Sequence, residues 1–277
     1  MIKNEYLFID GRYFHETLQS FSKKYFSNQK ILLDPWMLTY EFQKCFYYDC
    51  DPIKRSDESD SDFESRKSET EIFERRLASQ PGVHIYKGAI RGMGKKTRQK
   101  GVDVAIAVDM LTHSYRKNTG RVTLFAGDLD FLPLVEALVL DGLYVTLWYS
   151  RERTSKELID AVDQRKLFSV NSIYDFLDST FRETISPKPT ESNRSRIPGR
   201  NPIRTGIWVE NGMKIEVFES DGIYELVAWD GESQNEVVRS HPSLDLLIDF
   251  CQEQYRWGLN WYTEIKQEPS FIHRRSK

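Results

Sequence analysis

Over the first 180 positions, apolar residues fall in short continuous runs separated by stretches with helical spacing. Residues 5–10, 45–49, 83–90, 121–126 and 143–149 read as strands. Runs that stay apolar at consecutive positions suit strands buried on both faces. Between them, residues 13–27, 35–44, 69–78, 101–115, 130–141 and 154–166 have helical spacing, with Asp34-Pro35 as a cap and first helical position. This alternation predicts an α/β fold: a doubly wound, mainly parallel sheet with helices on both faces. Residues 51–71, which include Ser-Asp-Glu-Ser-Asp-Ser-Asp, are expected to form a polar, mobile loop.

The pattern breaks at Phe181. Residues 181–204 hold Pro187, Pro189, Pro198 and Pro202 among Arg182, Lys188, Arg194, Arg196, Arg200 and Arg204, and read as a linker between a domain at 1–180 and a small α+β domain at 205–277. In that second domain Ile207–Val209, Met213–Glu219, Ile223–Trp229 and Val237–Arg239 read as antiparallel strands. Asn211-Gly212 and Asp221-Gly222 supply hairpin turns, and Leu244–Trp257 has helical spacing. Trp208, Trp229, Trp257, Trp261, Tyr224 and Tyr262 could stack bases, but core packing is the simpler reading. Glu210, Glu216, Glu219, Asp221 and Glu225 oppose an RNA platform, so homo-oligomerisation or a protein partner fits this domain at least as well.

Length and composition set limits. A chain of 277 residues, 39% hydrophobic and with 16 Phe, 14 Tyr and 6 Trp, can fill a sizeable core. A net charge of −3 excludes a simple basic nucleic-acid coat protein. Cys45, Cys50 and Cys251 form no CxxC and match no zinc set, which suits a reducing cytosol. No run approaches the roughly 18 apolar residues of a membrane span. The expectation is a soluble, cytoplasmic protein without membrane contact.

Three apolar stretches end in, or open with, an aspartate: Asp10, Asp103 and Asp128. Strand C-termini line the crevice of an open α/β sheet, so the three would face one crevice. Two carboxylates about 4 Å apart repel by roughly 4 kcal/mol at an effective dielectric near 20. A divalent cation relieves that repulsion, and an oxygen-only site suits Mg²⁺ or Mn²⁺. The alternative is structural, because aspartate also caps helices and starts turns. Asp109 lies six residues past Asp103 and about 120° around the helix, so it reads as a supporting residue. Lys87, Arg91, Lys95, Lys96, Arg98 and Lys100 have no acid among them and run straight towards Asp103, which favours a phosphate-holding role over a merely solvated loop. Arg12 could add a phosphate contact from the other side. Gly94-Lys95-Lys96-Thr97 fails the P-loop spacing.

FIDG at 8–11, YYD at 47–49, KGVDVAIAVDM at 100–110, AGDLDFLPLV at 126–135 and Leu158 to Asp163 occur in the order and spacing of a known family. Residues 5–170 resemble the NYN domain, the PIN-like nuclease group that includes the LabA/DUF88 proteins. The resemblance implies a metal-dependent RNA endonuclease with Asp10, Asp103 and Asp128 as metal ligands and Asp130 as an outer or fourth ligand. Where family members commonly carry a Ser-Asn or similar pair after the first Asp-Gly, this chain has Arg12-Tyr13. The expected activity is hydrolysis of RNA phosphodiesters by metal-activated water. The alternatives are a catalytically weak nucleic-acid-binding or regulatory module, and a nuclease acting on DNA, including single-stranded DNA.

Overall fold

The computed structural model describes residues 4–54, 57–91, 98–208, 212–229, 235–255 and 259–264. The chain divides into two compact units, Met1–Glu183 and Thr184–Lys277.

The first unit is organised around β1 (Glu5–Asp10), whose Leu7, Phe8 and Ile9 are wholly buried. In chain order there follow α1 (Gly11–Tyr25), α2 (Pro35–Thr39), β2 (Lys44–Asp49), α3 (Asp60–Ala78) and β3 (Val83–Lys87). A small hairpin, β4 (Ala89–Arg91) with β5 (Arg98–Lys100), leads into α4 (Val102–Tyr115). Then come β6 (Arg121–Phe125), α5 (Leu132–Leu140), β7 (Tyr144–Tyr149), α6 (Lys156–Asp160), β8 (Gln164–Leu167), α7 (Val170–Phe176) and α8 (Ser179–Arg182). The sheet order is β3-β2-β1-β6-β7-β8, with every pair parallel. The chain builds outwards from β1 to β3, then returns through α4 to β6 on the other side of β1. The topological switch point is therefore between β1 and β6, where such sheets open a crevice.

The two faces follow from pleat parity. Tyr6 and Phe8 pack with Ile106, Met110, Val122, Leu124 and Val135 on the side of α4 and α5. On the opposite face, Phe14 of α1 meets Phe73 of α3, Tyr47 and Phe125 at ring-centroid distances of 5.6–6.4 Å. The sixth strand escaped the sequence reading because helical spacing was carried through 154–166. Ser155 instead caps a five-residue helix, and the QRKL of β8 is an edge strand without an apolar run. Residues 51–71 are not one loop either: Ser59 accepts from the Asp62 amide and starts α3 at Asp60, inside the acidic stretch. Acids in a first turn suit the positive end of the helix, so the low-complexity signal was a cap signal. No described helix is long and apolar enough to cross a membrane.

The second unit is an antiparallel sheet in the order β14-β10-β11-β12-β13-β9. Its strands are β9 (Glu191–Ser195), β10 (Arg204–Trp208), β11 (Lys214–Ser220), β12 (Ile223–Trp229), β13 (Asn235–His241) and β14 (Leu259–Glu264), with α9 (Leu244–Tyr255) between the last two. The linker expected at 181–204 is corrected here. Its first residues end the first unit as part of α8, residues 191–195 form an edge strand, and residues 196–203 cross back to β10. Register places Glu216, Phe218, Glu225, Val227, Trp229, Glu236 and Val238 on one sheet face. The crossing segment lays its arginines there. Arg194 donates to both oxygens of Glu225 at 3.0 and 3.1 Å and to Glu236 at 2.7 Å. Arg196 lies 3.5 Å over the Trp229 ring and bridges Glu216, while Arg200 lies 3.9 Å over Phe218 and bridges Glu225 at 2.7 Å. Guanidinium groups on aromatic faces, with their charges paired, act as a polar core layer. Hydrophobic periodicity cannot register such a layer, and the basic residues of 194–200 are already neutralised by the sheet.

Glu225 accepts from both Arg194 and Arg200, and the Arg194 hydrogen bonds hold its carboxyl below the usual value. A depressed folded value stabilises above the ordinary range near 4.5 and loses that contribution as pH falls below it. Glu225→Gln should destabilise the second unit by about 1–3 kcal/mol at pH 7, with the deficit shrinking below about pH 4. Urea unfolding followed by tryptophan emission measures this, since four of the six tryptophans (208, 229, 257, 261) belong to that unit. An unchanged midpoint at pH 7 would mean that the strap is held by ring stacking alone.

Candidate active site

Asp10 is the last residue of β1 and the N-cap of α1, accepting from the Tyr13 amide at 3.2 Å. Its parity with Tyr6 and Phe8 turns it to the α4 side. Gly11 follows because nothing larger fits: a Cβ there would stand 2.7 Å from Asp49 Cβ and 2.8 Å from Tyr47 Cζ. Burial, then the charges of Asp103 and Asp49, push the Asp10 carboxyl up to about 7, against the lowering effect of the Tyr13 and Arg12 amides.

Asp103 stands in the first turn of α4, behind Gly101, whose φ of 89° makes the left-handed entry to the helix. Partial desolvation raises its carboxyl, the charges of Asp128 and Asp130 raise it further, and Arg12 opposes them. Asp128 follows β6 and accepts from the Asp130 amide at 3.1 Å, capping a 3-10 turn at Leu129–Phe131. Asp10, Asp103, Asp128 and Asp130 thus share one electrostatic field at the switch point, with Asp103 coupled to all the others. Asp10 and Asp128 cap, as the structural reading expects, and Asp103 is the residue whose charge opposes those of the other three. The donor chemistry, four carboxylates and no imidazole or thiolate, fits a hard divalent cation. Among the described residues no three His, Cys, Asp or Glu side chains converge on one point in this conformation, so chelation requires rotamer changes at the exposed Asp103 and Asp128.

Arg12 and Tyr13 divide their work. Arg12 is largely exposed, bonds Glu16 at 3.0 Å, and feels the charges of Asp10 and Asp103. Tyr13 turns away and is buried. Its hydroxyl accepts from the Ser150 amide at 2.7 Å and shares a hydrogen bond with Thr154 Oγ1 at 2.6 Å. Its ring lies against Gly127, where any Cβ would collide with it, and the Ser155 amide donates to the Gly127 carbonyl. Tyr13 therefore buttresses the loop that carries Asp128.

Asp49 was quoted from the sequence only within the YYD block and given no role, although it too ends an apolar strand, as the last residue of CFYYD. Register pairs Tyr47 with Ile9, which puts Asp49 on the α1 side of the sheet. There it accepts from the Cys50 amide at 2.7 Å and the Tyr47 hydroxyl at 3.1 Å, with His15 Nε2 3.4 Å away. Counting parity from each strand end would have found it and assigned it to that face. Asp109 accepts from the Tyr48 hydroxyl at 2.8 Å, and Asp163 from the Val145 amide at 2.8 Å, so both are supporting residues. Of the basic stretch, Arg91 and Arg98 occupy facing backbone positions in the β4–β5 hairpin, with Lys100 opposite Ala89. Lys95 and Lys96 lie outside the described residues.

The family model of the NYN domain matches residues 44–169. This segment is similar to the NYN domain. NYN domains form a PIN-like nuclease family whose members usually use divalent metals, and the matched segment holds Asp103, Asp128 and Asp130, while Asp10 and Arg12 precede it. A protein of unknown function from Vibrio parahaemolyticus RIMD 2210633 is similar in structure, at 19% identity and a TM-score of 0.43 over 64% of this chain and 97% of that one. No curated protein matches the chain.

The raised Asp10 carboxyl has a thermodynamic signature in metal-free protein. Between about pH 4 and pH 7 the folded NYN domain binds a proton that the unfolded chain releases, so stability falls as pH rises through that window. Asparagine keeps the cap without the charge. In EDTA, Asp10→Asn should exceed the parent protein in unfolding free energy at pH 8 by about 2–4 kcal/mol, and the gain should vanish near pH 4. A gain that is the same at both pH values would show that Asp10 is ionised without penalty.

Proposed function

We propose that this protein is a metal-dependent endoribonuclease. The observation that carries the reading is the electrostatic coupling of Asp10, Asp103, Asp128 and Asp130 at the switch point of an NYN domain. Asp10, Asp103 and Asp128 would hold Mg²⁺ or Mn²⁺, and Asp130 would orient water or a ligand from the outer shell. The bound cation would lower the pKa of water and offset negative charge on the phosphate. Asp10, desolvated and anchored by the Tyr13 amide, is the fixed ligand. Arg12, which feels the charges of Asp10 and Asp103, would draw a phosphate oxygen into the crevice. Arg91, Lys95, Lys96, Arg98 and Lys100 would hold flanking phosphates. Hydrolysis adds the water oxygen to phosphorus, breaks the bond to the leaving ribose oxygen, and delivers a proton to that oxygen.

A binding or regulatory NYN module is the second reading. What favours it is that the described carboxylates do not close on one point. Cleavage assays separate the two. Purified protein with labelled RNA should give internal cuts in Mn²⁺ or Mg²⁺ and none in EDTA, and a parallel single-stranded DNA tests the substrate. Asp103→Asn and Asp128→Asn should each lower the rate by more than ~100-fold, the upper end for losing even an outer-shell partner of a metal, while keeping the circular dichroism of the parent. Parent-like rates in Asp128→Asn would overturn the assignment. Changing Lys95, Lys96 and Arg98 together to Ala should weaken RNA binding and flatten its salt dependence, reducing the slope by ~2–3 for three lost phosphate contacts.

A further inference from the structure

Helix α4 has a second face that the carboxylate site does not use. Ile106, Met110 and Ser114 bury one side of it. On another, Val104, Val108, Leu111 and Tyr115 are 66, 54, 45 and 88% exposed. Their spacing of four, three and four residues is the seam by which one α-helix packs along another. A solitary exposed valine needs no explanation, but four apolar side chains in one row along a 14-residue helix form a contact surface left open among the described residues of the first unit.

We propose that this seam is the interface of a homodimer in which two α4 helices pack antiparallel about a two-fold axis. Two observations select a second copy over a foreign helix. First, the row is symmetric about the point between Val108 and Leu111. An antiparallel pair then sets Val104 against the partner's Tyr115 and Val108 against the partner's Leu111, and a two-fold repeats both contacts. Ala105, Ala107 and Thr112 flank the seam with small side chains that permit close approach. Second, Arg116 and Lys117 are exposed just past the last turn. Antiparallel pairing keeps the two copies of this basic end, and the like ends of the two helix dipoles, apart; parallel pairing would bring them together. The seam is small beside the roughly 800 Å² per partner of a standard interface, so the dimer should be weak, with a dissociation constant of micromolar order.

The test is sedimentation velocity of the full chain from about 1 to 100 μM, a range that brackets a micromolar constant. The mass should rise from one chain towards two. Val108→Glu and Leu111→Glu, both at exposed positions and neither in the carboxylate site, should each weaken association at least tenfold while keeping the parent's circular dichroism and melting temperature. Register is read by mixing Val108→Cys with Leu111→Cys protein: the mixed disulfide should form faster than either protein's own cross-link. A monomer throughout the range, a dimer that survives Val108→Glu, or a Tyr115→Cys protein that cross-links to itself most readily would each overturn the proposal. None of these outcomes depends on nuclease activity, so failure here leaves the assignment of the carboxylates untouched, and failure there leaves the dimer.

Discussion

A carboxylate can be buried at the end of β1 only because several neighbours share the electrostatic cost of placing it there. The Tyr13 amide gives Asp10 a hydrogen bond, the start of α1 points partial positive charge at it, and the Arg12 amide lowers its carboxyl further. Each of these depends on the chain turning from strand to helix without a gap, and that turn depends on Gly11, pressed against Asp49 and Tyr47. If β1 were an edge strand, water would reach Asp10 and its carboxyl would ionise freely. Its position between β2 and β6 denies it that water, and the same position brings Asp103 and Asp128 to its side.

The two units resolve buried charge in opposite ways. In the second, each guanidinium of the strap meets a glutamate, and those of Arg196 and Arg200 also lie on a ring, so each charge there has an opposite partner. In the first, four acids of one sign face a single arginine. Pairing holds a structure together; an accumulation of one sign raises the energy of the empty site and favours whatever cation enters. That contrast separates Arg194, Arg196 and Arg200, held within the sheet of the second unit, from Arg12, whose guanidinium is largely exposed and, among the described residues, pairs only with the neighbouring Glu16 on its own helix.

Much of the first unit was legible because burial on both faces writes itself as unbroken apolar runs: β1, β2, β6 and β7 lie where those runs lie. The aspartates at their ends were legible for the same reason, since a charged residue abruptly stopping such a run is conspicuous. What stayed hidden obeys other rules. β8 is an edge strand whose QRKL has no reason to be apolar. The start of α3 is written in capping chemistry within an acidic repeat. The strap resembles a linker because its packing uses arginine stems and aromatic rings. Asp49 follows the strand-end rule as faithfully as Asp10, and only the period-two parity of β2, which seats it beside His15 and Tyr47, distinguishes their surroundings.

The sheet order also dictates a timetable during synthesis. β1 leaves the ribosome first and finds β2 within some forty residues, but its other edge waits for β6, where Glu5 meets Arg121. Until then a strand with five of its six residues destined for burial has one open edge and one uncovered face, with α4 not yet made. Non-local parallel pairing of this kind closes slowly and leaves nascent chains prone to aggregate. The second unit, whose β11, β12 and β13 pair antiparallel in chain order, closes on local contacts soon after it emerges. The later-translated of the two units is therefore the one that can finish folding sooner after its own synthesis, and the vulnerable interval belongs to the strand that will hold Asp10.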